Sequence, residues 1–210
     1  SITKEGIYDD RASVVNNPVG ADPLHLYDMC PVSDGAAAVI LCPLEMAKKY
    51  KHTPVVIAGF GQATDTQTLA EREDPTDLKA VTLASQQALA MAKLKPSDIS
   101  VAELHDAFTI LEIAESEHVG FFKKGEGGKA VLAGKTKLGG QIPINLSGGL
   151  KARGHPVGAT GVAQVVDIVR QLRHELPKER QVKDAKTGLT VNFGGFGNNV
   201  VSFVLRRVEA

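Results

Sequence analysis

Apolar positions fall into short continuous runs and helical stripes, separated by clusters of turn formers. Residues 1–30 carry Asn16, Asn17, Pro18, Gly20, Asp22 and Pro23, a density at which no apolar period survives, so they read as irregular structure. Behind the turn Ser33-Asp34-Gly35, the run AAAVILC (36–42) has the length and β-branched content of a strand buried on both faces. Pro43 then opens a short helix, PLEMAKKY, with Lys48 and Lys49 near its C-terminal end. PVVIAGFG (54–61) predicts a second buried strand, and 62–76 a polar loop. A helix over 77–94 follows, with Asp77 as its N-cap and an Ala/Leu/Met content that favours helix. Lys95-Pro96-Ser97-Asp98 breaks it. ISVAEL (99–104) predicts a third strand, running through His105-Asp106-Ala107-Phe108 into a helix over 109–122.

The Gly/Lys-rich stretch 123–141 predicts a solvated surface loop. Its Gly134-Lys135-Thr136 resembles the tail of a phosphate-binding loop, but that pattern needs glycine where Lys129 stands. Further on, Val162, Val165, Val166, Val169, Leu172 and Leu176 form one apolar stripe at helical spacing. A charged connector, 174–186, leads to two closing strands, 188–193 and 200–208. In the last of these Val201, Phe203 and Leu205 alternate with Ser202 and Arg206, which predicts one polar face. Buried strands alternating with amphipathic helices indicate an α/β fold, a mixed β-sheet covered by helices. No short-period repeat interrupts that order.

The 210 residues suffice for one sizeable core, and apolar (43%) and charged (23%) fractions are those of a globular protein. Lys+Arg and Asp+Glu balance at 24 each, which gives no field toward nucleic acid or an anionic membrane. No run approaches the ~18 apolar residues of a membrane span, and SITKEGIYDD lacks the apolar core of a signal peptide. Cys30 and Cys42 fit no zinc or CxxC spacing, so a reducing compartment and a cytoplasmic location are expected. Cys42, ending an apolar run, reads as an inert core residue. The six histidines make no metal motif.

Three segments place polar or glycine residues just after a strand or before a helix, where α/β folds build sites. His105-Asp106 can hold a water or polarise a carbonyl, the carboxylate fixing the imidazole tautomer. Equally, Asp106 can be a helix cap beside an incidental histidine. Ser147–Gly161 (SGGLKARGHPVGATG) lets backbone approach a ligand and sets His155 as a general base or hydrogen-bond donor ahead of a helix N-terminus. The turn after Asn192-Phe193, Gly194-Gly195-Phe196-Gly197, can expose N–H groups as an oxyanion hole, or can simply be a glycine turn.

Taken together and in this order, ADPLHLYDMCPVSDGAAAVIL, VAELHDAFTILEI, GFFKKGEGGK, INLSGGLKARGHPVGATGVAQ and NFGGFGNN resemble the C-terminal half of a thiolase. The likeness is to the archaeal acetyl-CoA acetyltransferase and sterol-carrier-protein-type branch, and it spans essentially the whole chain. It implies one βαβαβαββ repeat plus a piece of the N-terminal half. Residues 1–32 would be the tail of the loop domain, 33–53 the last strand and helix of the N-terminal domain, and 54–210 the C-terminal domain.

The resemblance implies an acyl-CoA C-acyltransferase, catalysing Claisen condensation or thiolysis with coenzyme A and acetyl-CoA as substrates and no covalently bound cofactor or metal. His155 would activate the nucleophilic cysteine, His105 would hold the oxyanion-hole water, and Gly194 would donate in the second oxyanion hole, with Asn192 beside it. Gly148, Gly149, Gly154, Pro156 and Phe108 would lie against the CoA substrate. The family's second, acid/base cysteine has no counterpart, since Ala107 and Asn192 occupy its two usual positions. The nucleophile belongs to the family's N-terminal half. This chain is therefore expected to work with that half or with a nucleophile-bearing subunit, as a homo- or hetero-oligomer. The archaeal branch adds a hydroxymethylglutaryl-CoA synthase and an OB-fold bridging protein as expected partners.

Two rivals remain. A thiolase-fold aldolase acting on β-hydroxyacyl-CoA is favoured by the lost thiols and opposed by the intact GHP histidine. A non-catalytic CoA-binding scaffold would leave His155 without a role.

Overall fold

The computed structural model describes residues 17–208. A small hairpin, β1 (Val19–Ala21) and β2 (Leu24–His25), precedes a single-turn helix α1 (Leu44–Ala47). The main body runs β3 (Val55–Thr64), α2 (Lys79–Ala92), β4 (Val101–Glu103), α3 (Thr109–His118), α4 (Gly127–Leu132), α5 (Gly149–Ala152), α6 (Thr160–Leu172), β5 (Thr187–Gly194) and β6 (Asn199–Arg207). The four long-range strands form one mixed sheet in the order β3-β6-β5-β4, with β4–β5 parallel and the other pairs antiparallel.

Helices cover both faces of this sheet. On one side Val81, Ala84 and Ala88 of α2 pack with Leu189, Val191, Val200 and Val204, and residues from 119–144 complete the same core. Here α2 lies close on β3, because a Cβ at Gly59 or Gly61 would collide with the carbonyl oxygens of Ala88 or Ala84. On the other side Ile168 and Leu172 of α6 pack with Val101, Ala185 and Leu205. Gln164 of α6 stitches the parallel pair together, its Nε2 donating to Val191 O at 3.0 Å and Glu103 O at 3.4 Å.

This second face is only partly covered. Phe60, paired with Phe203 across β3–β6, is 55% exposed, and Val201 and Phe203 are half-buried.

The order of elements follows the hydrophobic pattern, and several details differ. Residues 36–42 form no strand: Ile40 and Leu41 are 96% and 73% exposed, and Cys42 is exposed rather than an inert core residue. An apolar run becomes a strand only beside another strand that takes its N–H and C=O groups, and none among the described residues pairs with it. The irregular N-terminal segment contains the β1–β2 hairpin, while its residues 1–16 lie outside the described ones. β3 is not buried on both faces but alternates, and it extends to Thr64.

Leu78, not Asp77, is the N-cap position of α2; Asp77 instead lies 3.1 Å from His118 Nε2. The 123–141 stretch is not a solvated loop, since it contains α4 with Gly127 and Ala130 buried. In α6 the buried face is Thr160, Gln164, Ile168, Gln171 and Leu172, and Val162, Val165, Val166 and Val169 are half-buried. The hydrogen bonds of Gln164 and Gln171 explain why polar residues occupy that face. In β6 Val200, Ser202, Val204 and Leu205 are buried, with Ser202 Oγ donating to Thr190 O at 2.9 Å, so Ser202 marks no polar face.

Candidate active site

β4 stops at Glu103, yet the next four residues, Leu104, His105, Asp106 and Ala107, stay buried outside any element. They carry the first predicted site. His105 is 4% exposed, and its ring lies against Phe193 at 4.3 Å between centroids. Asn192, near the end of the parallel neighbour β5, brings its Nδ2 to 3.0 Å from His105 Nδ1. An amide nitrogen only donates, so Nδ1 accepts and the imidazole proton sits on Nε2. Burial, and next the neighbouring His155, push the His105 pKa down to about 3, so this ring is neutral at physiological pH.

Asp106 does not set that tautomer. Its Oδ1 accepts the Leu150 N–H at 2.7 Å, at the start of α5, and Phe108 rather than Asp106 is the N-cap position of α3. Gly149 makes the contact feasible: its φ is +58°, and any Cβ there would run into the Asp106 carboxylate. The glycine loop thus wraps a buried carboxylate, and the turn after it delivers His155.

The rings of His155 and His105 meet edge to face with centroids 4.9 Å apart. His155 Nδ1 lies 2.7 Å from Thr160 Oγ1, which donates its single proton to Pro156 O at 3.1 Å. The hydroxyl therefore accepts from His155, whose proton is on Nδ1 and whose Nε2 lone pair is free. Burial, helped by Arg153, lowers the His155 pKa, so the ring is a neutral base. The two imidazoles are opposite tautomers: one offers an Nε2–H, the other an Nε2 lone pair.

Asn192, His105 and His155 are thus brought together, with Gly194 two residues beyond Asn192 at the end of β5. The turn there uses positive φ at Gly195 and Gly197.

The residues expected against substrate lie beside the segment 28–35. That segment crosses over them, with Cys30 N–H donating to Ala107 O (2.8 Å), Thr109 Oγ1 to Asp28 Oδ1 (2.8 Å) and His155 N–H to Ser33 Oγ (3.3 Å). Met29 O accepts from Lys151 Nζ, Gly35 lies against Pro156, and Gly154 lies against Ser33. Phe108 bridges Met29 on the exposed side, and Gly148 adopts positive φ at the start of α5. Among the described residues no three His, Cys, Asp or Glu side chains gather as a metal site requires.

A layer behind the histidines escaped the sequence reading. Glu103 accepts from Ser147 Oγ at 2.6 Å, and burial pushes its pKa up to about 7. Glu112 accepts from Asn145 Nδ2 at 2.9 Å and is likewise raised to about 7, chiefly by burial. Glu115 Oε2 accepts the His105 N–H at 2.9 Å, and burial raises its pKa well above the ordinary carboxylate range. The available signal was acids three residues apart on a helix placed directly after His105.

Residues 61–207 match the model of the thiolase C-terminal domain-like family. The chain is 50% identical to an acetyl-CoA acetyltransferase of Methanothermobacter thermautotrophicus, over 92% of this chain and 50% of that relative. It is 40% identical to sterol carrier protein 2 of Oryctolagus cuniculus, over 86% of this chain and 34% of that relative. It superposes on the solved Ltp2-ChsH2(DUF35) aldolase with a TM-score of 0.79 at 27% identity, covering 92% of this chain and 50% of that one. The chain therefore spans half or less of the length of these relatives. No helix among the described residues is long and apolar enough to cross a membrane. The chain belongs to the thiolase family, as a thiolase C-terminal domain-like sequence with the thiolase-like α/β fold.

Proposed function

We propose that this chain forms the C-terminal part of an acyl-CoA C-acyltransferase active site and that a cysteine outside these residues supplies the nucleophile. The observation that carries the reading is the pair of touching imidazoles in opposite tautomers. His155 Nε2 takes the proton of the cysteine thiol, and the thiolate attacks the thioester carbonyl. The tetrahedral oxygen is held by donors that include the Gly194 N–H. Coenzyme A leaves as a thiolate and recovers the proton from His155, which is neutral again.

In the second half-reaction the same Nε2 removes the α-proton of acetyl-CoA, because Ala107 and Asn192 offer no acid/base group. His105 Nε2–H, directly or through a water, stabilises the enolate oxygen. The enolate carbon attacks the acyl-enzyme, and the departing cysteine thiolate regains the proton from His155. Coenzyme A and acetyl-CoA are substrates here, read at Gly148, Gly149, Gly154, Pro156 and Phe108, and no covalent cofactor is needed.

The remaining half, in the same polypeptide or as a subunit, covers the exposed 36–42 run and the open face at Phe60. The division that goes with this reading is residues 1–32 (tail of the loop domain), 33–53 (end of the N-terminal domain) and 54–210 (C-terminal domain). An assembly with hydroxymethylglutaryl-CoA synthase and an OB-fold bridging protein is the partner arrangement we infer, in the cytoplasm.

A second reading, the aldolase, is favoured by the structural neighbour named as an aldolase complex with a DUF35 chain and by the missing second thiol. The assembled protein separates the two. Acetyl-CoA condensation and α-proton exchange should both collapse in His155→Ala. Retained exchange overturns the single-base scheme. Cleavage of β-hydroxyacyl-CoA without thiolysis establishes the aldolase, and unchanged turnover in His155→Ala establishes the scaffold.

A further inference from the structure

We propose that Glu115 is a positioning residue for His105, its buried carboxyl fixing the backbone from which that ring presents its Nε2–H. The inference rests on the reading of His105 as an oxyanion donor. The chain from Leu104 to Asp106 has left the sheet without leaving the interior, so its backbone donors need partners that no strand provides. Side chains supply two of them. Asn145 Oδ1 accepts the Leu104 N–H at 2.7 Å, and Asn145 is itself held by Glu112. Glu115 Oε2 accepts the His105 N–H at 2.9 Å. The ring is fixed separately, by Asn192. Backbone and ring of one residue are therefore each held by a different element, α3 and β5.

Glu115 is 0% exposed, its Oε1 has no hydrogen-bond partner, and no cation pairs with it among the described residues. Such a carboxyl costs more to bury than an apolar side chain of the same size. What it offers that an apolar residue lacks is an acceptor under His105. A donor acts on a developing oxyanion only if it is already aimed, and small misplacements are expensive. A methionine at 115 would fill the volume and release the His105 N–H.

The test compares Glu115→Met, Glu115→Gln and His105→Ala in the protein assembled with its nucleophile-bearing half. Glu115→Met should lower kcat at least about tenfold while KM stays within about twofold. Glu115→Gln, whose amide oxygen still accepts, should keep kcat within about threefold of the parent. If His105→Ala abolishes turnover but Glu115→Met does not, the positioning role is overturned and the function stands. If His105→Ala leaves turnover intact, the reading of His105 fails, and the role of Glu115 with it. Should Glu115→Met not fold, Glu115→Gln decides: a folded variant as inactive as His105→Ala overturns the acceptor role.

Discussion

Asn192 Nδ2 donates to His105 Nδ1 across 3.0 Å, joining the end of β5 to the loop that follows its parallel neighbour β4. The amide leaves the ring proton nowhere to sit but Nε2. Across the 4.9 Å ring contact, Thr160 imposes the reverse on His155. The two tautomers are therefore assigned by two neutral side chains, and burial keeps both rings uncharged.

Replacing the donor should undo half of that assignment. Asn192→Leu removes it at similar volume, so the two His105 tautomers become free to exchange, and kcat is expected to fall by about tenfold or more. Asn192→Asp should be worse. A carboxylate only accepts, so it draws the proton to Nδ1 and leaves Nε2 a lone pair facing the developing oxyanion. The negative charge also raises the His105 pKa, and because imidazolium regains an Nε2–H, the rate loss should shrink as pH falls through that raised value. Steady-state pH profiles of the assembled variants check both.

On the other ring, Thr160→Val keeps the shape and removes the acceptor. His155 can then protonate on Nε2, which stops it from taking a thiol proton. Single-turnover acyl-enzyme formation should slow by about tenfold or more, while Thr160→Ser stays near the parent rate. The lost hydroxyl costs about 1 kcal/mol of stability. A rate loss that instead tracks a large fall in the unfolding midpoint would point to a packing role.

The glycine loop makes a steric prediction. At Gly149 a side chain meets the Asp106 carboxylate, and the backbone sits at φ +58°. Gly149→Ala must displace either α5 or Asp106, orphaning the Leu150 N–H. A destabilisation of about 2–4 kcal/mol is expected, from the strained φ plus the lost charge-assisted bond. Urea denaturation measures it. Gly158→Ala, where no atom lies within reach of an added Cβ, is the control and should be nearly neutral.

The element order was legible because each buried strand is a short apolar run and each long helix an apolar stripe, bounded by Pro, Gly and Asp. The failures have a common physical cause. The 36–42 run carries strand composition, but hydrogen-bonding partners decide whether a run is a strand, and composition does not contain them. The valine stripe of α6 has the right period, yet Gln164 outranks it because its amide nitrogen donates to the Glu103 and Val191 carbonyls at once, which no valine can do.

Within the site, His105, His155, Asn192 and the glycines stood out as polar or flexible residues at strand ends. Thr160 and Glu115 did not. A threonine in a helix and a glutamate on a helix look solvated until the histidines they serve are placed beside them. Asp106 misled for the same reason: adjacency in sequence suggested a partner for His105 that the fold assigns to Leu150.

The buried carboxyls give the fold a pH dependence whose direction is set by their raised pKa values. Glu103 and Glu112 move from 4.5 to about 7, and Glu115 moves the same way. A raised folded pKa means that the native state holds a proton the unfolded chain has released. That stabilisation is complete below about pH 4.5 and is lost as pH climbs through 7. His105 acts oppositely: its pKa falls from 6.5 to about 3, so stability rises with pH across that interval. Asp106 and Asp167 are raised as well and His155 is lowered, so up to 6.5 the raised carboxyls oppose two imidazoles, and above 6.5 the carboxyls act without them. Glu112→Gln removes one titration while keeping an acceptor for Asn145. The stability of the parent relative to Glu112→Gln should therefore fall by about 1.4 kcal/mol per pH unit from about 4.5 to 7, then level off. Denaturant unfolding at half-unit pH steps measures the difference, and parallel curves would mean that Glu112 titrates as an ordinary carboxylate.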